Sequence, residues 1–175
     1  MVDPGGPFST RGPDMAKTPE VGTTAPDFTL AGVLLAGGTA EHADYALSAQ
    51  RGKPVVLAFY PGDDTPVCTR QLCSYTSGLD ALTGLGSTVW GISPQDTASH
   101  EQFARKYDIG LPLLADVGLA VSRRYGISLG RIGLRRSVFV IDGEGIVRWK
   151  QVSLLGLSFP SASVIAAQLA AMAVP

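Results

Sequence analysis

Pro54-Val55-Val56-Leu57-Ala58-Phe59-Tyr60-Pro61-Gly62-Asp63-Asp64-Thr65-Pro66-Val67-Cys68-Thr69-Arg70-Gln71-Leu72-Cys73 reads as a buried strand that stops abruptly and a helix that begins. The opening apolar run is rich in β-formers and lacks polar alternation, as expected of a strand covered on both faces. Pro61-Gly62 ends it. Thr65 suits a helix N-cap, and Pro66 the first helical position, where its missing N–H costs nothing. Cys68 then falls in the first turn, among unpaired backbone N–H groups at the positive end of the helix dipole. That setting favours a thiolate. Cys73 follows as the only other cysteine of the chain, at a distance from which a second thiol can resolve the oxidised first. The stretch points to cysteine redox chemistry.

Outward from it, strands alternate with helices. Asp27 to Leu30 is expected as a short strand, and Thr39 to Gln50 as another short strand with a helical turn. The helix opened at Pro66 should continue to Leu82 and end near Gly84 and Gly86. A strand over Ser87 to Ser93 and a helix from Asp96-Thr97 through Tyr107 come next. Leu113-Leu114 is extended, and Val117 to Tyr125 helical. Ser137 to Ile141 and Ile146 to Lys150 form a hairpin around Asp142-Gly143-Glu144-Gly145. An Ala-rich helix over Ser161 to Met172 closes the order. The pattern predicts an α/β thioredoxin-like fold with a central mixed sheet flanked by helices. Residues 1–17, rich in Pro and Gly, are expected as a flexible tail, and 18–175 as one domain.

The chain has 175 residues, enough to bury one substantial core. It is 45% hydrophobic and 17% charged, which argues against global disorder. A net charge of −1 gives no electrostatic case for nucleic acid or an anionic membrane as partner. Arg123, Arg124, Arg131, Arg135 and Arg136 gather along the chain but are diluted by glycines and apolar residues, as on a solvated face. No apolar run reaches the roughly 18 residues of a membrane span, and no secretory-signal core stands near the start. Two cysteines make no disulfide framework, and no asparagine is present to carry a glycan. A cytoplasmic protein is expected.

Helix geometry constrains the two thiols. Positions five apart differ by roughly 140° around an α-helix and by about 7.5 Å along it. That separation exceeds the approximately 7 Å between Cα atoms that a disulfide tolerates. In an intact helix Cys68 and Cys73 cannot bond; a bridge requires the helix to unwind. Ready exchange of the Cys-x-x-Cys kind is therefore disfavoured. Zinc is disfavoured as well, because His42 and His100 stand without a ligand pattern. His100, in Ser99-His100-Glu101, is expected at the surface. Asp63 and Asp64 oppose a thiolate by their charge, so a cation is required to offset them.

The segment from Phe59 to Cys73 resembles the active-site signature of peroxiredoxins, Pro-x-x-x-Thr-x-x-Cys, through Pro61, Thr65 and Cys68. Cys73, after four intervening residues, resembles the Q subfamily, also called the bacterioferritin comigratory protein type. The likeness extends to Ala25-Pro26-Asp27-Phe28-Thr29-Leu30, to Gly91-Ile92-Ser93, and to Ser99 through Tyr107. It continues through Leu111-Pro112-Leu113-Leu114-Ala115-Asp116 and Arg136 to Asp142. The resemblance implies a thiol-dependent peroxidase acting on hydrogen peroxide and organic hydroperoxides. Cys68 would be the peroxidatic nucleophile, and its sulfenic acid would be resolved by Cys73 as an intramolecular disulfide. Thioredoxin or a similar thiol donor would then reduce the bridge. Thr65 would orient peroxide or contact the thiolate, Pro61 would shield the site from water, and Arg136 would be the active-site arginine. Arg135, on the opposite face of the opening strand, would be the solvated one. The resemblance implies no metal and no bound organic cofactor. Without a cysteine near the C-terminus, no intersubunit disulfide of the typical two-cysteine kind is expected, and a monomer or weak dimer follows.

Two residues depart from the family pattern. Val67 stands where glycine usually precedes the peroxidatic cysteine, and Gln71 where glutamate often precedes the resolving one. Neither removes a reacting group. Two rival functions remain: a thioredoxin-like disulfide oxidoreductase or redox relay, and a binding or chaperone-like protein on a retained fold. The joint presence of Pro61, Thr65, Cys68 and Arg136 favours the peroxidase.

Overall fold

A computed structural model describes residues 16–173. Five residues in a row, β3 (Val55–Phe59), are buried, because this strand pairs on both sides and is covered on both faces. Its neighbours are β4 (Thr88–Ser93), parallel, and β6 (Ser137–Ile141), antiparallel. With β1 (Thr29–Ala36), β2 (Thr39–Ala46), β5 (Leu113–Ala115) and β7 (Val147–Val152) they make a seven-stranded sheet in the order β2-β1-β5-β4-β3-β6-β7. Parallel pairs lie at its centre and antiparallel pairs outside them, the mixed sheet expected of a thioredoxin-like fold.

The pleat sends alternate residues to opposite faces. Val56, Ala58 and Tyr60 join a cluster with Cys68, Leu72, Tyr75, Phe103 and Ile165, beneath α1 (Pro66–Ser77), α3 (Thr97–Tyr107) and α5 (Ala162–Met172). Val55, Leu57 and Phe59 face the other way, onto Trp90, Tyr125 and Phe139 under α4 (Ala120–Arg124). Cys68 and the buried residues of the helix that carries it thus lie on the first face. No described helix is long and apolar enough to cross a membrane.

Three elements differ from expectation. β1 runs on through the Gly/Ala-rich stretch to Ala36 and turns back at Gly37-Gly38, both at positive φ, so that Ala36 pairs Thr39. This is the two-residue hairpin that glycines make most readily. The helix from Pro66 does not reach Leu82 unbroken. It ends at Ser77, and α2 (Leu79–Thr83) starts beyond Gly78. A Cβ at Gly78 would lie 2.5 Å from the Ala162 Cβ, so close approach of α5 forces the break and requires glycine. The third is α4, which begins only at Ala120, after Leu119 has taken a left-handed conformation. Most of the expected N-terminal tail, residues 1–15, lies outside the described residues.

Candidate active site

Thr65 occupies the N-cap of α1 with extended backbone, and Pro66 opens the helix. The Thr65 side chain does not cap, however. Its hydroxyl turns back and donates to the Gly62 carbonyl at 3.3 Å. The first amide bonded back into the helix is that of Thr69, to the Thr65 carbonyl at 2.8 Å. Ahead of it, the Val67 and Cys68 N–H groups have no acceptor among the described residues, which leaves the helix front open to an incoming oxygen. Val67 is not among the residues of positive φ, so this backbone has no need of glycine there.

Cys68 is 1% exposed. Arg136, buried just ahead of β6, turns onto it: Nη2 donates to the Cys68 Sγ at 3.1 Å. Nε donates to the Gly156 carbonyl at 2.9 Å, and Nη1 to the Gln71 side-chain oxygen. Both latter acceptors are neutral, so the guanidinium charge is left to the sulfur. Gln71 also explains its own departure from the family pattern. Its amide accepts from Arg136 and, through Nε2, donates to the Tyr75 hydroxyl at 3.3 Å, which a glutamate could not do. Tyr75 passes the chain on to the Pro160 carbonyl at 2.8 Å, and burial holds its phenol well above its ordinary pKa. Arg135 lies on the other side, half-buried rather than free in water, donating to the Gly126 carbonyl at 2.6 Å.

Both cysteines are free thiols and both lie within α1. Cys73 is half-buried, and that burial pushes its thiol above the ordinary value. Pro61 is half-buried at the end of β3, on the loop that leads to Cys68.

The expectation for His100 is overturned. It is fully buried, with Nδ1 2.8 Å from the Asp63 Oδ2 and Nε2 3.0 Å from the Leu114 carbonyl. A helical reading of α3 would have found it: His100, Phe103 and Ala104 stand at i, i+3 and i+4, and all three are buried. The aspartates also differ from expectation. Asp63 is matched by His100, and Asp64 pairs with Lys106 at 2.7 Å and with the Tyr107 hydroxyl. The Lys106 hydrogen bond, aided by that of Tyr107, holds the Asp64 carboxyl below its usual range. Both carboxylates thus find partners on α3, and the bonds of Arg136 go instead to Cys68, Gln71 and Gly156.

This arrangement is a buried thiol at an open helix start, held by a guanidinium, with a second thiol further along the same helix. The AhpC/TSA family profile matches residues 21–150. A relative from Coxiella burnetii named putative peroxiredoxin bcp is 35% identical over 146 residues, covering 78% of this chain and 92% of that protein. Chloroplastic peroxiredoxin Q of Triticum aestivum is 41% identical over 106 residues, 59% of this chain and 49% of its own length. The chain thus spans about half the length of the plant relatives it matches. Among solved structures, the reduced 2-Cys peroxiredoxin of Plasmodium vivax superposes with a TM-score of 0.77 at 25% identity, over 87% of this chain and 96% of that one. Mycobacterium tuberculosis AhpC gives 0.80 at 16% identity, over 90% and 94%, a likeness of fold alone.

Proposed function

The chain belongs to the AhpC/TSA family, within it to the peroxiredoxin Q type, and on that premise we propose that it reduces peroxides with Cys68 as nucleophile. The Arg136 Nη2 contact to the Cys68 sulfur, 3.1 Å at a helix start, carries the reading. The thiolate attacks one peroxide oxygen, the O–O bond breaks, and Cys68 becomes a sulfenic acid. The departing oxygen takes a proton and leaves as water or an alcohol. Charge that develops on that oxygen meets the open Val67 and Cys68 N–H groups and the Arg136 guanidinium. Thr65, its own proton committed to Gly62, has lone pairs left to accept the peroxide O–H. Pro61 shields the thiol from water.

Cys73 is the resolving thiol. Its sulfur attacks the Cys68 sulfenic sulfur, expelling water and forming the disulfide, after the first turns of α1 have opened. Until then, burial pushes the Cys73 thiol up, which disfavours its thiolate. Thioredoxin or a similar dithiol donor reduces the bridge, and the cycle needs no metal and no bound organic cofactor. Hydrogen peroxide and organic hydroperoxides are the substrates, the setting is the cytoplasm, and the chain works as a monomer or weak dimer. Peroxide consumption with a thioredoxin system tests the reading. Cys68→Ser is expected to abolish it, and full turnover in that variant, or insulin reduction without peroxide turnover in the wild type, contradicts it.

A further inference from the structure

The loop between β3 and α1 is fastened to the body of the protein through one side chain. Asp63 accepts from the Tyr60 hydroxyl on Oδ1 at 2.7 Å. On Oδ2 it meets the Ser99 hydroxyl at 2.8 Å and His100 Nδ1 at 2.8 Å. Its own N–H donates to the Gln95 Oε1 at 3.1 Å, and that oxygen also accepts from the Ser93 hydroxyl at 2.6 Å. The end of β3, the loop after β4 and helix α3 therefore all grip the residue that stands two before the N-cap of the Cys68 helix.

The donors and acceptors fix what His100 must do. Nε2 faces a carbonyl, which only accepts, so Nε2 carries a proton. Nδ1 faces a carboxylate oxygen, so one further proton lies between Nδ1 and Oδ2. The pair is closed to water, with side-chain exposures of 0% for His100 and 5% for Asp63. Remove His100 and Asp63 keeps only the Tyr60 and Ser99 hydroxyls; remove Asp63 and the buried Nδ1 loses its 2.8 Å partner. Neither residue has a part in the peroxide chemistry described above, and among the contacts of Asp63 only the imidazole also reaches the Leu114 carbonyl of β5.

We propose that His100 is a positioning residue for Cys68: clamped between the Leu114 carbonyl and Asp63, it holds the Pro61–Thr65 loop, and through it the first turn of α1, in the peroxide-reactive geometry. The proposal rests on the peroxidase reading. It assigns His100 no contact with peroxide or with sulfur. Its action is confined to the folded helix, so it serves the sulfenylation step and not the disulfide step, for which the helix is open.

Rapid-quench mass spectrometry of the full chain, following loss of the reduced protein and then formation of the disulfide, separates the steps. In Asp63→Ala and in His100→Gln, reaction with hydrogen peroxide should slow at least tenfold, and the double variant should lose no more than about twofold further, since the two residues act as one unit. Disulfide formation should be unchanged or faster. Asp63→Asn should stay within about threefold of wild type, because its amide N–H can donate to Nδ1 of a neutral imidazole whose Nε2–H still serves Leu114. The imidazole nitrogen spectrum of that variant should then show a proton on Nε2 alone. Asp63→Asn keeps the shape of the native side chain and decides the matter even if the other variants do not fold: a tenfold loss in it overturns the proposal. Single variants at wild-type rate, penalties that multiply, or a disulfide step slowed equally also overturn it. A wild type that leaves peroxide intact overturns the peroxidase reading itself, a separate failure.

Discussion

Arg136 holds three acceptors at once because the donors of a guanidinium are fixed in one plane. The Cys68 sulfur, the Gln71 oxygen and the Gly156 carbonyl lie around it. A lysine supplies the charge as a single point and cannot reproduce that fork. Arg136→Lys is therefore expected to react with peroxide at least tenfold more slowly, measured by stopped-flow at neutral pH. Arg136→Ala should do the same and also leave the buried Gln71 oxygen without its donor, costing about 1–3 kcal/mol in urea unfolding. Wild-type reactivity in Arg136→Ala would contradict the role given to it. The places of Thr65 and Cys68 at a helix start, and of Arg136 just ahead of a strand, were legible in the sequence because Thr65-Pro66 and the apolar run from Ser137 mark those boundaries. Arg136 was singled out by the family resemblance. His100 was not, because a histidine among polar neighbours reads as surface until its spacing from Phe103 and Ala104 is counted. The partners of Asp63 and Asp64 were hidden for another reason: they lie about forty residues away in the chain, on α3.

Helix α1 has two ends of different character. Its start is tied through Asp63 and Asp64 to α3, while its end is set by the contact of Gly78 with Ala162. Gly78→Ala drives a methyl into that contact and should destabilise the protein by about 1–3 kcal/mol in urea unfolding. Ala162→Gly added to it should recover part of the loss; an unchanged midpoint in Gly78→Ala would remove the packing account of the break. The sequence placed glycine there without saying why, because the cause is an element more than eighty residues further on. Cys73, between these ends, has its thiol raised by burial. The folded state then holds that proton more tightly than the unfolded chain does. The stabilisation is fully present below the ordinary thiol pKa of about 8.5 and is lost as pH rises through the raised value. The urea midpoint of the reduced wild type should thus fall more steeply than that of Cys73→Ser as pH is taken from neutral into the alkaline range. Parallel curves would show that burial of Cys73 has no such effect.

On the scale of the molecule, one face of the sheet carries the cluster around Cys68 and the other the aromatic packing of Trp90, Tyr125 and Phe139. Tyr60 lies with Cys68, Leu72 and Tyr75, whereas Phe59, one residue earlier, packs on Phe139 and Tyr125. The alternation of β3 makes that division, and it was legible once the apolar run was read as a strand. The hairpin of β1 and β2 was not read in full, since a Gly/Ala-rich strand has little of the β-branched signal that marks β3. The division leaves α1 free to open without disturbing Trp90, Tyr125 or Phe139 on the far side. Opening is the demand that the cysteine spacing makes, because both thiols sit in one intact helix. Intact mass of the reduced protein after one equivalent of hydrogen peroxide reads the outcome for the whole chain. The predicted result is loss of two hydrogens in the wild type, with peptide mapping to a Cys68–Cys73 bridge, and gain of one oxygen at Cys68 in Cys73→Ser. A wild type that accumulates the Cys68 sulfenic acid, or one that gains no oxygen and forms no bridge, would contradict it.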